Sequence, residues 1–135
     1  MLTYCDSSAL VVLLRPDEGQ REPIVTAAIR QATDVTAVDW ITPLEVTAAI
    51  HRSLHTRERR AAERRWWDLW SRIVPVALDA SVYDAALQSV RKHRLRFLDA
   101  FHLAAAIRIG SSRLITFDAE LAAAARKERI EVVGT

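Results

Sequence analysis

The stretch Leu2-Thr3-Tyr4-Cys5-Asp6-Ser7-Ser8-Ala9-Leu10-Val11-Val12-Leu13-Leu14 changes character at Asp6. Before it, residues 2–5 read as a short buried strand; after it, residues 7–14 read as a helix that Arg15-Pro16 stops. The same alternation recurs downstream. A helix is expected over 20–32, broken early by Pro23, and an apolar strand over 35–38. Thr42-Pro43-Leu44-Glu45 opens a helix running to about residue 56, and another covers 58–73. Residues 74–78 suit a third strand, which Pro75 demotes to a sheet edge. Helices over 80–93 and 98–109, a strand over 113–117, a helix over 119–129 and a strand over 130–133 complete the chain. Short apolar strands alternating with amphipathic helices argue for an α/β fold: a short parallel sheet sandwiched by helices. Sheets of this kind place their sites beyond the carboxyl ends of the strands.

The 135 residues, of which 50% are hydrophobic and 27% charged, suit one globular domain spanning residues 1–135 and exclude wholesale disorder. Charged residues break every apolar run short of the roughly 18 residues a membrane span needs. The N-terminus lacks a basic region and a small-residue cleavage site, and the lone Cys5 can form neither an internal disulfide nor a cysteine zinc site. A cytoplasmic protein with no membrane attachment is expected. Three glycines and four prolines leave little room for linkers, and no repeat is visible. The net charge of +2 does not itself announce a nucleic-acid partner. Arginine is nevertheless concentrated at Arg52, Arg57, Arg59, Arg60, Arg64, Arg65 and Arg72, and again in Arg91-Lys92-His93-Arg94-Leu95-Arg96. Either run reads as a solvated surface or as a phosphate-binding one.

Four acids stand at telling places. Asp6 follows the first strand, Glu45 opens the helix after the second, and Asp118 follows Leu114-Ile115-Thr116-Phe117, so these three share one rim of the sheet. Asp99 lies in the first turn of a helix that is apolar almost all round, where a carboxylate is costly without a partner. Each has a structural alternative. Asp6 and Asp118 suit helix caps, Glu45 suits a capping box with Thr42 as cap, and Asp99 suits the helix dipole. Several carboxylates on one rim repel one another, however, and an oxygen-only donor set calls for Mg²⁺ or Mn²⁺ as compensator.

Tyr4-Cys5-Asp6-Ser7-Ser8-Ala9-Leu10, Thr42-Pro43-Leu44-Glu45-Val46, Leu98-Asp99-Ala100-Phe101-His102-Leu103-Ala104-Ala105-Ala106 and Leu114-Ile115-Thr116-Phe117-Asp118-Ala119-Glu120-Leu121 closely resemble the four acidic motifs of PIN-domain proteins. More narrowly, the chain resembles the VapC-type toxins of bacterial toxin–antitoxin pairs, in order and over essentially its whole length. That resemblance implies a metal-dependent endoribonuclease. It assigns Asp6, Glu45, Asp99 and Asp118 to the acidic quartet that binds Mg²⁺ or Mn²⁺, and Thr116 to a hydroxyl beside the metal, with Ser7 in a similar part. It is also the resemblance, not the spacing, that brings Asp99 to the other three. It further implies an RNA substrate, a small cognate antitoxin, and a homodimer or a toxin–antitoxin hetero-oligomer. One departure is the interposed Asp39-Trp40-Ile41, which makes Asp39 a rival acid.

Other residues read more plainly. His102, three after Asp99, suits orienting the carboxylates or packing. His51 and His55 have metal-ligand spacing but no third ligand, and read as exposed. Ala62, Trp66, Leu69 and Ile73 form one apolar stripe, with Trp66 and Trp70 suiting the core. Trp67 points elsewhere and suits a partner surface or RNA stacking. Cys5 suits a buried small side chain. Alternatives to the toxin are a PIN nuclease of RNA processing without an antitoxin, and a non-catalytic interaction domain on the same fold. A phosphoacceptor domain is disfavoured because Ser8 stands where the second Asp of a dehalogenase-type site belongs.

Overall fold

The computed structural model describes residues 1–15 and 19–135. The chain begins with β1 (Leu2–Cys5), α1 (Ser7–Val12), α2 (Arg21–Gln31) and β2 (Asp34–Val38). Next come α3 (Ile41–Ser53), α4 (Thr56–Trp70), β3 (Val74–Val76) and α5 (Ala80–His93). It closes with α6 (Phe97–Arg108), β4 (Arg113–Ile115), α7 (Ala119–Lys127) and β5 (Glu131–Val133). The strands form one parallel sheet in the order β3-β2-β1-β4-β5, with Tyr4 opposite Thr36 on one side and Leu114 on the other.

Because side chains alternate along a strand, neighbouring residues feed opposite cores. Tyr4, Val38 and Leu114 pack with α5, α6 and α7 on one face, whereas Cys5, Ala37 and Ile115 pack with α1 to α4 on the other. The strands are buried on both faces, which is why they read as continuous apolar runs. The strand order reverses between β1 and β4, and a parallel sheet opens a crevice at such a point.

Several expected boundaries move. Pro23 does not break α2: it lies in the first turn, where no backbone donor is needed. The expected stop of α1 at Pro16 lies outside the described residues, but the helix has already ended at Val12. β3 is an edge strand as Pro75 required, and ends at Val76.

Thr42 is not the cap of α3. Trp40 takes φ +66° and ψ −57°, and the Ile41 amide donates to the Asp39 carbonyl at 2.7 Å. This is a γ-turn of the rare, strained positive-φ kind. The interposed Asp39-Trp40-Ile41 is therefore the tight corner that turns β2 into α3. Thr42 falls inside the helix, buried, with an Oγ1 that has no hydrogen-bond partner, so no capping box forms with Glu45. No helix among the described residues is long and apolar enough to cross a membrane.

Candidate active site

Asp6 leaves β1 at the crevice and is the N-cap residue of α1, yet its side chain makes no capping bond. Its Oδ2 instead accepts from Ser8 Oγ and from Thr116 Oγ1, each at 2.8 Å. Both hydroxyls have their direction set from behind. Ser8 Oγ accepts from the Phe117 amide at 3.1 Å, and Thr116 Oγ1 from the Asp118 amide at 3.0 Å, so each has its proton free for the carboxylate. Ser8 and the loop after β4 thus hold one oxygen of Asp6, while the other, Oδ1, lies 3.3 Å from Nε2 of His102. Thr116 was expected here; the second hydroxyl is that of Ser8, not Ser7, although both line the cleft.

Glu45 reaches the same place from α3. Its Oε1 lies 2.6 Å from Nε2 of His102, which also stands 3.3 Å from Asp6 Oδ1. His102 is wholly buried on α6, and its Nδ1 lies 2.8 Å from the hydroxyl of Tyr4. Burial would push this imidazole down. The charge of Asp6, the hydrogen bond and charge of Glu45 and the charge of Asp99 together outweigh it and lift the pKa above its ordinary value. His102 thus lies directly against two of the four acids, Glu45 and Asp6. The Tyr4 hydroxyl is itself held protonated, with a pKa pushed far up by burial.

Asp99 enters from the first turn of α6. Its Oδ2 has no hydrogen-bond partner, and the nearest cation, Arg96 Nε, is 3.7 Å away. Burial first, then the charges of Asp118 and Asp6, raise its pKa to about 6. Asp118 does two things at once: Oδ1 caps α7 by accepting from the Leu121 amide at 2.9 Å, and Oδ2 faces Arg96 Nη2 at 3.6 Å. Asp6, Glu45, Asp99 and Asp118 line one cleft of about 300 Å³, in which Arg96 is the basic residue. Asp39 is not among its lining residues; its Oδ1 accepts from the Trp40 amide at 2.8 Å, inside its own turn.

The donor set suits a hard cation. Four carboxylates from separate elements face one space, and one buried carboxylate oxygen, Asp99 Oδ2, makes no hydrogen bond. Among the described residues no three acidic, His or Cys side chains are already drawn into a closed cage. Mg²⁺ does not ask for one, since it keeps several waters and takes one or two carboxylates.

Elsewhere the outcome is plainer. His51 pairs with Glu63 across α3 and α4, and His55 is exposed. Trp66 is buried with Trp70 packed on it at 5.5 Å between ring centroids, while Trp67 is half exposed. Cys5 is buried, and its thiol is pushed up by burial and by Asp6. Of the second basic run, Lys92 and His93 both hold Glu128, at 2.8 Å, and Arg96 alone lines the acidic cleft. Reading the sequence overlooked the roles of Tyr4 and Ser8, and singled out Arg96 only as one member of a basic run. A tyrosine buried in a strand needs a partner for its hydroxyl, and Arg96 stands three residues before Asp99, so both left a faint signal.

A doubly covered parallel sheet with four carboxylates converging on a cleft at its carboxyl rim defines an α/β protein with an acidic site. The chain belongs to the PIN domain family, whose model matches residues 3–127. It is similar to ribonucleases VapC45 and VapC49 of Mycobacterium tuberculosis, each 34% identical over a 119-residue alignment that covers 84% of this chain and 81% of each relative. Among solved structures, VapC20 of Mycobacterium tuberculosis, described as a sarcin–ricin-loop-cleaving toxin, shares the fold with a TM-score of 0.72. Its sequence identity is 18%, over 90% of this chain and 94% of that one.

Proposed function

We propose that the chain is an endoribonuclease acting as the toxin of a toxin–antitoxin pair, and that it cleaves RNA with Mg²⁺ or Mn²⁺. The observation that carries this reading is the convergence of Asp6, Glu45, Asp99 and Asp118 on one cleft whose lining holds a single basic residue, Arg96. The similarity to two curated ribonucleases over most of the chain supports it. Asp6 and Asp99 hold the metal, with Glu45 and Asp118 completing the donor set. When bound, such an ion lowers the pKa of a water and offsets charge on a phosphodiester in transition. The protein's own part is placement. Ser8 and Thr116 hold Asp6 by Oδ2, His102 holds Glu45, and the cap of α7 holds Asp118 by Oδ1. Arg96, whose side chain is 77% exposed, stands ready for a substrate phosphate. No side-chain nucleophile is required.

A small antitoxin is the partner. A second cavity of about 470 Å³ shares Ser7, Ser8 and Glu45 with the acidic cleft and is lined by Val11, Val12, Ala48 and Ala49, with Arg15, Arg21 and Arg52 among its other residues. It suits a peptide with apolar anchors and acidic flanks. Exposed Trp40, Leu44, Tyr83 and Phe97 favour a homodimer or a toxin–antitoxin hetero-oligomer in the cytoplasm.

The test is cleavage of total RNA by purified, antitoxin-free protein with Mg²⁺, with Mn²⁺ and with EDTA, alongside Asp6→Asn and Asp99→Asn. Discrete fragments that require metal and fall at least about 100-fold in both variants are expected. No cleavage by folded parent protein at high metal overturns the reading.

A further inference from the structure

A buried hydrogen-bond chain runs from the middle of the sheet to the acidic cleft. Tyr4 is wholly buried on β1, and its hydroxyl accepts from the Val38 amide of neighbouring β2 at 3.1 Å. The proton of that hydroxyl then has one acceptor among the described residues, Nδ1 of His102 at 2.8 Å. A buried hydroxyl proton with no acceptor is costly, so the bond runs from Tyr4 to His102. With Nδ1 accepting, the neutral ring carries its proton on Nε2. That nitrogen faces Glu45 Oε1 at 2.6 Å and Asp6 Oδ1 at 3.3 Å. The opposite tautomer would turn a lone pair toward two carboxylates.

We propose that Tyr4 is a positioning residue of the metal site: through His102 it holds Glu45 and Asp6 Oδ1 where a divalent cation needs them. The inference rests on the metal-binding part of the function proposed above. Val38, Tyr4, His102 and Glu45 belong to β2, β1, α6 and α3, so one chain of bonds ties the rigid sheet to two helices. Glu45 gains most. Its side chain is 25% exposed on a helix surface, where repulsion from Asp6 and Asp99 would otherwise turn it to solvent. Partners that orient metal ligands in this way typically account for about 10–100-fold in metal affinity or activity.

Tyr4→Phe removes the oxygen and keeps the ring. Thr36→Val is its control, because it deletes a buried hydroxyl on the next strand that makes no hydrogen bond. Calorimetric titration with Mn²⁺ reads the metal site without RNA. Tyr4→Phe is expected to weaken Mn²⁺ binding about tenfold or more and to lower kcat with KM for RNA unchanged, while Thr36→Val stays within about twofold. Nitrogen-15 NMR of the metal-free parent at about pH 8.5 is expected to show His102 protonated on Nε2 and bare on Nδ1. Parent affinity in folded Tyr4→Phe, or a protonated Nδ1, overturns the proposal; if the variant does not fold, the tautomer decides alone. A parent that binds no Mn²⁺ overturns this inference and the metal reading together. A parent that binds Mn²⁺, loses it in Tyr4→Phe, and yet cuts no RNA leaves the inference standing and removes the nuclease.

Discussion

The carboxyl of Asp99 is lifted to about 6 by burial, then by the charges of Asp118 and Asp6, with Arg96 and His102 pulling the other way. The folded protein therefore binds this proton more tightly than the unfolded chain, whose value is 3.8. Linkage sets the sign: stability contributed by the protonated form is complete below 3.8 and is lost as pH rises through about 6. Asn keeps the shape without the charge. Metal-free Asp99→Asn is thus expected to melt higher than the parent at pH 7.5, by on the order of 3–6 °C, with the gap closing near pH 4. Melting curves at both pH values check it. A variant less stable than the parent at pH 7.5 would mean that the carboxylate is satisfied by a partner. Saturating Mg²⁺ is expected to reverse the order, since ligand binding stabilises only the protein that retains the donor.

The two aspartates that open helices show how one residue type divides its work by context. Asp118 caps α7, whereas Asp6, in the same place on α1, gives its carboxylate to Ser8 and Thr116. The corner before α3 is more demanding still. Trp40 holds φ +66° while 76% exposed, so its backbone strain is not repaid by burial of its own ring. Glycine adopts that conformation freely. Trp40→Gly is expected to stabilise the isolated monomer by about 0.5–2 kcal/mol, the strain relieved less the entropy glycine costs. Urea denaturation across protein concentrations checks it. Destabilisation that appears only at high concentration would place the tryptophan in an interface between copies.

The sheet divides the protein into two cores, and each strand must fill both. Trp66 is the largest side chain buried in full, on the face covered by α1 to α4. Trp66→Ala is expected to cost about 3–5 kcal/mol through the cavity it leaves, and Trp66→Phe much less, since the indole nitrogen already lacks a partner. Trp67→Ala, half exposed beside it, is expected to stay within about 0.5 kcal/mol. Chemical denaturation of the three variants checks the ranking; equal losses at both tryptophans would mean that α4 packs differently. The apolar stripe of α4 was legible because helical spacing places Ala62, Trp66 and Leu69 on one side, although the helix ends at Trp70 and Ile73, expected to close it, is buried three residues beyond. The γ-turn was not, because its strain is local and the sequence around Trp40 carries no glycine to signal a positive φ.

By itself the sequence determined the alternation of strands and helices, the edge place of β3, and three acids on one rim. Each follows from local periodicity, from a proline lacking a donor, or from position at the end of a strand. Asp99 came to that rim by resemblance alone, since α6 reaches it only through the crossover from β3. Which hydroxyl holds Asp6, whether Glu45 caps a helix or faces the cleft, and where Tyr4 sends its proton were decided only in the tertiary structure. These are contacts between residues up to 110 positions apart, as from Asp6 to Thr116. Hydrogen-bond partners that distant are set by how the helices dock on the sheet, and no local pattern records that docking.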